Sequence, residues 1–161
     1  MSSSAAIDYR APRTWLALAA FLVLVIAVGG LIGTQSVPGA WYEGLTKPPL
    51  NPPNWVFGPV WSALYVLIAI AGWRIWMLDR SSRAMQLWGV QMVLNWAWSP
   101  VWFLAQMPWA AFAILILMWL AIVGFIVTSR KHDPLAPWLF VPYLAWVSFA
   151  GYLNLAIAIL N

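Results

Sequence analysis

The sequence predicts an all-α fold, an integral membrane bundle of five transmembrane helices. Three observations carry that expectation. The chain is 64% hydrophobic and only 7% charged, whereas soluble domains carry about 25% charged residues. Five apolar runs each approach the roughly 20 residues needed to cross a hydrocarbon core. The breaks between the last four runs are short, so sequential helices should be antiparallel neighbours. With no internal repeat and no low-complexity segment, residues 1–161 read as a single five-helix domain.

The first run covers residues 15–34 and follows Arg10 and Arg13. A secretory signal is the competing reading. The run is longer than the usual apolar stretch of about 7–15 residues, and no convincing small-residue cleavage site closes it. A retained helix is therefore expected. Gly29 and Gly33 form a small-xxx-small pair that suits close helix packing, within the protomer or across a dimer.

Between the first and second runs lies WYEGLTKPPLNPPNWVFGPVW, residues 41–61, with five prolines and three tryptophans. Pro48-Pro49 and Pro52-Pro53 fix φ and remove four backbone donors. They also push the residues before them toward extended geometry. The expectation is a stiff, non-helical loop holding Trp41, Tyr42 and Trp55 as flat plates near the membrane surface. Simple interfacial anchoring of the aromatics is the plainer alternative.

The second run covers 56–77, the third 85–103, the fourth 109–128 and the fifth 137–160. The breaks are LDRSSR, AQMP and SRKHDPLA. Pro59 falls in a first turn, where it is tolerated. Pro100 and Pro142 fall inside the third and fifth helices, where kinks are expected.

Charge sets orientation. Arg10, Arg13, Arg74, Arg80, Arg83, Arg130 and Lys131 would share one side, and Lys47 alone the other. The positive-inside rule places the N-terminus in the cytoplasm and the C-terminus outside. An all-helical pattern favours a bacterial inner membrane over an outer one. The net charge of +4 is no nucleic-acid footprint, because the eight basic residues are scattered and form no stripe.

Polar groups inside the spans are costly unless they meet a partner or a cavity. Gln91 and Asn95 are four apart, on one face of the third helix, with Trp88, Trp98, Ser99 and Trp102 on or beside it. Trp61 and Tyr65 are four apart in the second helix. Tyr143, Trp146, Ala150 and Asn154 form a stripe in the fifth. Interhelical hydrogen bonding explains any one of these faces. Three together below an aromatic loop point to a mostly apolar pocket with a few convergent polar groups.

Conventional enzyme chemistry has no support. The chain has no cysteine, which excludes disulfides, thiolate metal sites and a Cys nucleophile. Asp8, Glu43, Asp79 and Asp133 form no recognisable carboxylate pair. His132, in RKHDP, reads as a solvated turn residue and not as a haem ligand.

The stretches WYEGLTKPPLNPPNWVFGPVWSALY, QMVLNWAWSPVWF and LFVPYLAWVSFAGYLN occur in order across most of the chain. They resemble the TspO/MBR family, the tryptophan-rich sensory or translocator proteins, also called peripheral benzodiazepine receptors. The resemblance implies a five-helix bundle, often a homodimer, that binds porphyrins such as protoporphyrin IX or haem below the first loop, with no obligatory cofactor. By position it implies ligand contacts at Trp41, Trp55, Phe57, Tyr65, Asn95, Trp146 and Ala150. Trp61 and Gln91 join them from helical spacing. The resemblance leaves three roles open: sensing tetrapyrroles, degrading protoporphyrin in light and oxygen, and transporting tetrapyrroles or lipids. The lack of inverted repeats or a buried ion-coupling pair weighs against transport. The sterol motif of animal members is incomplete, because no basic residue follows Tyr152.

Overall fold

A computed structural model describes residues 7–161; the first six residues of the expected 1–161 domain lie outside that range. Its elements, in order, are α1 (Pro12–Gln35), α2 (Ala40–Gly44), a 3-10 turn (Asn54–Val56), α3 (Phe57–Asp79), α4 (Arg83–Phe103), α5 (Pro108–Ser129) and α6 (Ala136–Leu160). No strand occurs among the described residues.

Local chemistry sets the helix starts. Pro12 and Pro108 open α1 and α5, and Pro137 lies in the first turn of α6. At these positions a proline costs no intrahelical hydrogen bond. Ser82 caps α4, its Oγ accepting from the Met85 N–H at 3.2 Å. The α4–α5 turn holds Gln106 at φ 54°, the only left-handed non-glycine residue described.

Two expectations need correction. The proline-rich stretch is not helix-free: Ala40–Gly44 forms a short helix ahead of the first proline pair. The helix-breaking residues begin only at Pro48, so Trp41 and Tyr42 can sit on a helical turn. Second, four helices, not five, are long and apolar enough to cross a membrane by length and composition. The exception is α4. It has 21 residues but carries Arg83, Gln86, Gln91 and Asn95 among four tryptophans, which lowers its mean hydropathy.

The five long helices close a ring. α1 packs on α3, α3 on α6, α6 on α5, α5 on α4, and α4 returns to α1. Inside it, Ile68, Ile75, Met92, Phe125, Phe140 and Tyr143 are fully buried. The outside is apolar too: Leu16, Val23, Val93, Leu117 and Trp138 are exposed. A large exposed apolar surface is what a lipid-facing bundle requires.

Each end of the ring is tied. At one end, Arg74 of α3 forms an ion pair with Asp133 in the α5–α6 connection and donates to the Tyr9 hydroxyl at 3.1 Å. Trp73 Nε1 donates to the Thr14 carbonyl at 2.9 Å. The N-terminal segment and the α5–α6 connection therefore share an end, as alternating spans demand. At the other end, the Asn161 side chain accepts from the Thr46 N–H at 2.9 Å and donates to its carbonyl at 3.1 Å.

Glycine allows two close approaches. A Cβ at Gly29 would overlap the Tyr65 ring, and one at Gly72 would overlap Trp88. Of the expected small-residue pair, Gly29 thus packs inside the protomer, while Gly33 faces open space.

Candidate functional site

A cavity of about 570 Å³ lies inside the ring at the loop end. Its walls come from α1, α3, α4 and α6, with Tyr42 of α2 above; none of its lining residues lies on α5. α3 supplies Phe57, Trp61 and Tyr65, spaced by four so that all three face inward. α4 supplies Asn95, Trp98 and Trp102, and α6 supplies Ala150 and Asn154. The lining is mainly apolar and aromatic.

The aromatic groups are ordered by one another. Trp98 and Trp102 stack with centroids 6.2 Å apart and planes 9° apart. Trp61 and Tyr65 lie 5.5 Å apart. The Trp98 indole N–H donates to Asn154 Oδ1 at 3.2 Å, and Asn154 Nδ2 donates to the Pro108 carbonyl at 2.9 Å. That chain pins a wall indole through α6 to the start of α5.

A polar network forms the floor. The Tyr65 hydroxyl donates to Asn95 Oδ1 at 3.3 Å. Asn95 Nδ2 donates to the Tyr143 hydroxyl at 2.9 Å, which donates to Gln91 Oε1 at 3.0 Å. Gln91 Nε2 ends the chain on the Trp88 carbonyl at 2.9 Å. α3, α4 and α6 are thus joined by side chains whose polarity is satisfied internally, as a low-dielectric site requires. Asn95 and Tyr65 alone in this chain face the cavity.

The loop forms the roof. The Tyr42 hydroxyl donates to Asn51 Oδ1 at 3.1 Å, and Lys47 Nζ sits 4.7 Å above the Tyr42 ring. Lys47 also donates to the Glu43 and Leu45 carbonyls. Burial raises the Tyr42 phenol pKa above its usual value, outweighing the lowering by the Asn51 hydrogen bond. At neutral pH Tyr42 is therefore a neutral donor.

Five of the nine residues expected at the site line the cavity: Phe57, Trp61, Tyr65, Asn95 and Ala150. Four do not. Gln91 is fully buried behind Asn95. Trp146 packs edge-on against Phe57 at 5.9 Å, its indole N–H buried without a partner. Trp41 packs edge-on against Trp102 at 5.8 Å. Trp55 is 74% exposed. Sequence reasoning missed the α1 wall and Ser36, whose buried Oγ has no partner. The signal was present as the stripe Ile26, Gly30, Gly33 and Val37 at helical spacing.

Comparison with known proteins agrees with this architecture. The TspO/MBR family matches residues 14–160. The chain is 35% identical over 150 residues to Protein CrtK of Rhodobacter capsulatus, covering 91% of this chain and 94% of that one. It is 36% identical over 145 residues to the tryptophan-rich sensory protein of Cereibacter sphaeroides, covering 89% and 92%. It is 38% identical over 149 residues to the translocator protein of Ovis aries, covering 87% of each. A match along nearly the whole length, on a tryptophan-lined helical bundle, establishes that this chain is an integral membrane protein of the TspO/MBR family.

Proposed function

We propose that this protein is a membrane receptor for porphyrins and related tetrapyrroles, held in the cavity below the Trp41–Asn54 loop. One observation carries the reading: an apolar chamber of about 570 Å³ bears Trp61, Trp98 and Trp102 on its walls with few polar side chains, among them the Asn95 amide on its floor. A planar macrocycle stacks on the indoles. Each such pair contributes about 0.5–1.5 kcal/mol beyond burial, and Asn95 orients a polar edge. Trp146 and Trp41 act from behind, by holding Phe57 and Trp102; Gln91 acts by holding the Asn95 network. Trp55 lies next to the lining residue Asn54, at the mouth.

In this reading α4 is the fifth span, its mid-helix amides Gln91 and Asn95 tolerated because they are buried inside the ring and do not face lipid. On the same reading the N-terminus is cytoplasmic and the loop outside, which the basic residues gathered at the end opposite the loop support, and the membrane is a bacterial inner one, which the all-helical pattern favours. Binding there would couple tetrapyrrole level to a cellular response.

Titration of the purified protein with protoporphyrin IX tests the proposal. Tryptophan emission should be quenched saturably with a low-micromolar Kd, about −8 kcal/mol. Trp61→Ala and Asn95→Ala should each weaken it about tenfold, a loss of about 1.4 kcal/mol. Absence of saturable quenching removes the receptor reading. A second reading, light-driven degradation, draws on the same indoles, which are oxidisable groups against the proposed ligand. It requires oxygen-dependent loss of the porphyrin absorption band under illumination, and loss of that activity in Trp61→Phe.

A further inference from the structure

Apart from Val37 and Asn54 at the loop end, the exposed residues that line the cavity fall along one seam. On α1, Ile26, Gly30 and Gly33 line the cavity and are exposed; on α3, Gly58, Ser62 and Val66 do the same. No lining residue on α4 or α6 is exposed. The opening therefore runs along the α1–α3 seam and not between other helices. Ile26 lies nine residues before the end of α1, which at 1.5 Å per residue puts the rim about 14 Å below the loop. At that depth a bilayer presents hydrocarbon and no water.

The seam is open because of its residues. A Cβ built at Gly30, Gly33 or Gly58 would meet nothing within 4 Å. The neighbouring Gly29 by contrast is filled by Tyr65. One turn beyond Gly33, Ser36 also lines the cavity. It is 4% exposed, and its Oγ has no hydrogen-bond partner. A buried hydroxyl without a partner is costly, and it stands at the surface end of the span, where ester carbonyls of glycerolipids sit.

We propose that the cavity opens sideways to the hydrocarbon through an α1–α3 portal, and that an acyl chain of a bilayer glycerolipid fills it, its ester carbonyl accepting from Ser36. The physical reason is that an apolar chamber in contact with lipid tails has no water to hold it open. A flexible chain one methylene wide passes a gap that glycine leaves. The inference stands on the cavity and the membrane setting, not on which planar ligand binds.

The test reconstitutes the full chain in nanodiscs of phosphatidylcholine carrying a diazirine near the acyl terminus. After photolysis, labelled residues are located by mass spectrometry. Label is expected on the inner wall, at Asn95, Trp98 and Leu153, as well as on the outward face of α4 at Val90 and Val93. In the Gly30→Leu/Gly33→Leu variant, whose new side chains enter open space, inner-wall label should fall at least tenfold while Val90 and Val93 stay labelled. Ser36→Ala should lower inner-wall label two- to threefold. Outward label without inner-wall label overturns the proposal, as does undiminished inner-wall label in the double glycine variant. Neither readout uses porphyrin, so failure here is separate from failure of the receptor reading.

Discussion

Single side chains decide the floor and the close contacts of this bundle. The Tyr143 hydroxyl both accepts from Asn95 and donates to Gln91. Tyr143→Phe leaves the Asn95 amide and the Gln91 carbonyl without that partner. Interhelical hydrogen bonds in membranes are worth about 0.6–1.7 kcal/mol, so a loss of about 1–2 kcal/mol is expected in denaturant unfolding from detergent. An unchanged midpoint would show that the network adds nothing to stability. Gly29→Ala should cost about 1–3 kcal/mol by overpacking against Tyr65, whereas Gly33→Ala should be near neutral. Pairing Gly29→Ala with Tyr65→Leu should recover part of the loss, and Tyr65→Phe, which keeps the ring, should not. Tyr42 gives a pH dependence. Its pKa is raised by burial, so the folded state holds the phenolic proton more tightly than the unfolded chain does. Its contribution is complete below about pH 10, the ordinary tyrosine value, and is lost as pH rises through the folded value. Tyr42→Phe should flatten the alkaline limb of a stability–pH curve.

Among elements, the ties between helices matter more than the helices themselves. Asp133 is buried and receives both the Arg74 guanidinium and the Leu135 N–H. It joins α3 to the start of α6. Asp133→Asn keeps a carbonyl for Leu135 but removes the charge facing Arg74, and about 2–3 kcal/mol of stability should go with it. Arg74→Lys should keep only part of the pair's contribution, because an ammonium cannot span both carboxylate oxygens as a guanidinium does. Thermal unfolding of the two variants side by side checks this. The long helices were legible in the sequence because hydrocarbon thickness imposes their length: the expected 109–128 and 137–160 became Pro108–Ser129 and Ala136–Leu160. α2 was not legible, because four prolines nearby outweighed five residues that precede them. Helical spacing found the inward faces of α3 and α4, since lipid makes any buried amide informative. It could not rank positions within a face. Gln91 and Asn95 share a stripe, and only packing shows that Tyr143 covers the first and leaves the second on the cavity. Nor could it assign α1 to the wall, because glycine leaves the same trace whether it packs a neighbour, as Gly29 does, or leaves a gap, as Gly33 does.

At the scale of the molecule, the ring, the roof and the C-terminal end of α6 act together. The loop between α1 and α3 is tied back at Thr46 by both atoms of the Asn161 amide, which also donates to the Ile157 carbonyl at 2.8 Å. The prolines restrict the loop backbone, so the expectation is that it opens as a stiff lid and not as a coil, with its two hydrogen bonds to Asn161 as a latch at one edge. On the receptor reading proposed above, a rigid macrocycle broader than an acyl chain would leave past this loop and not through the seam. Asn161→Ala removes both bonds. At about 0.5 kcal/mol each for exposed bonds, the lid opens more often by about fivefold. Protoporphyrin dissociation measured by stopped-flow should quicken by that factor, and Asn161→Asp, which keeps the acceptor for the Thr46 N–H but not the donor, should fall between. The Gly30→Leu/Gly33→Leu variant closes the seam and leaves the latch intact; both positions line the cavity and shift its affinity, so the check is that adding Asn161→Ala to it still quickens release about fivefold. If instead the glycine variant slows release and Asn161→Ala does not change it, the planar ligand also leaves sideways, and the loop is a fixed roof.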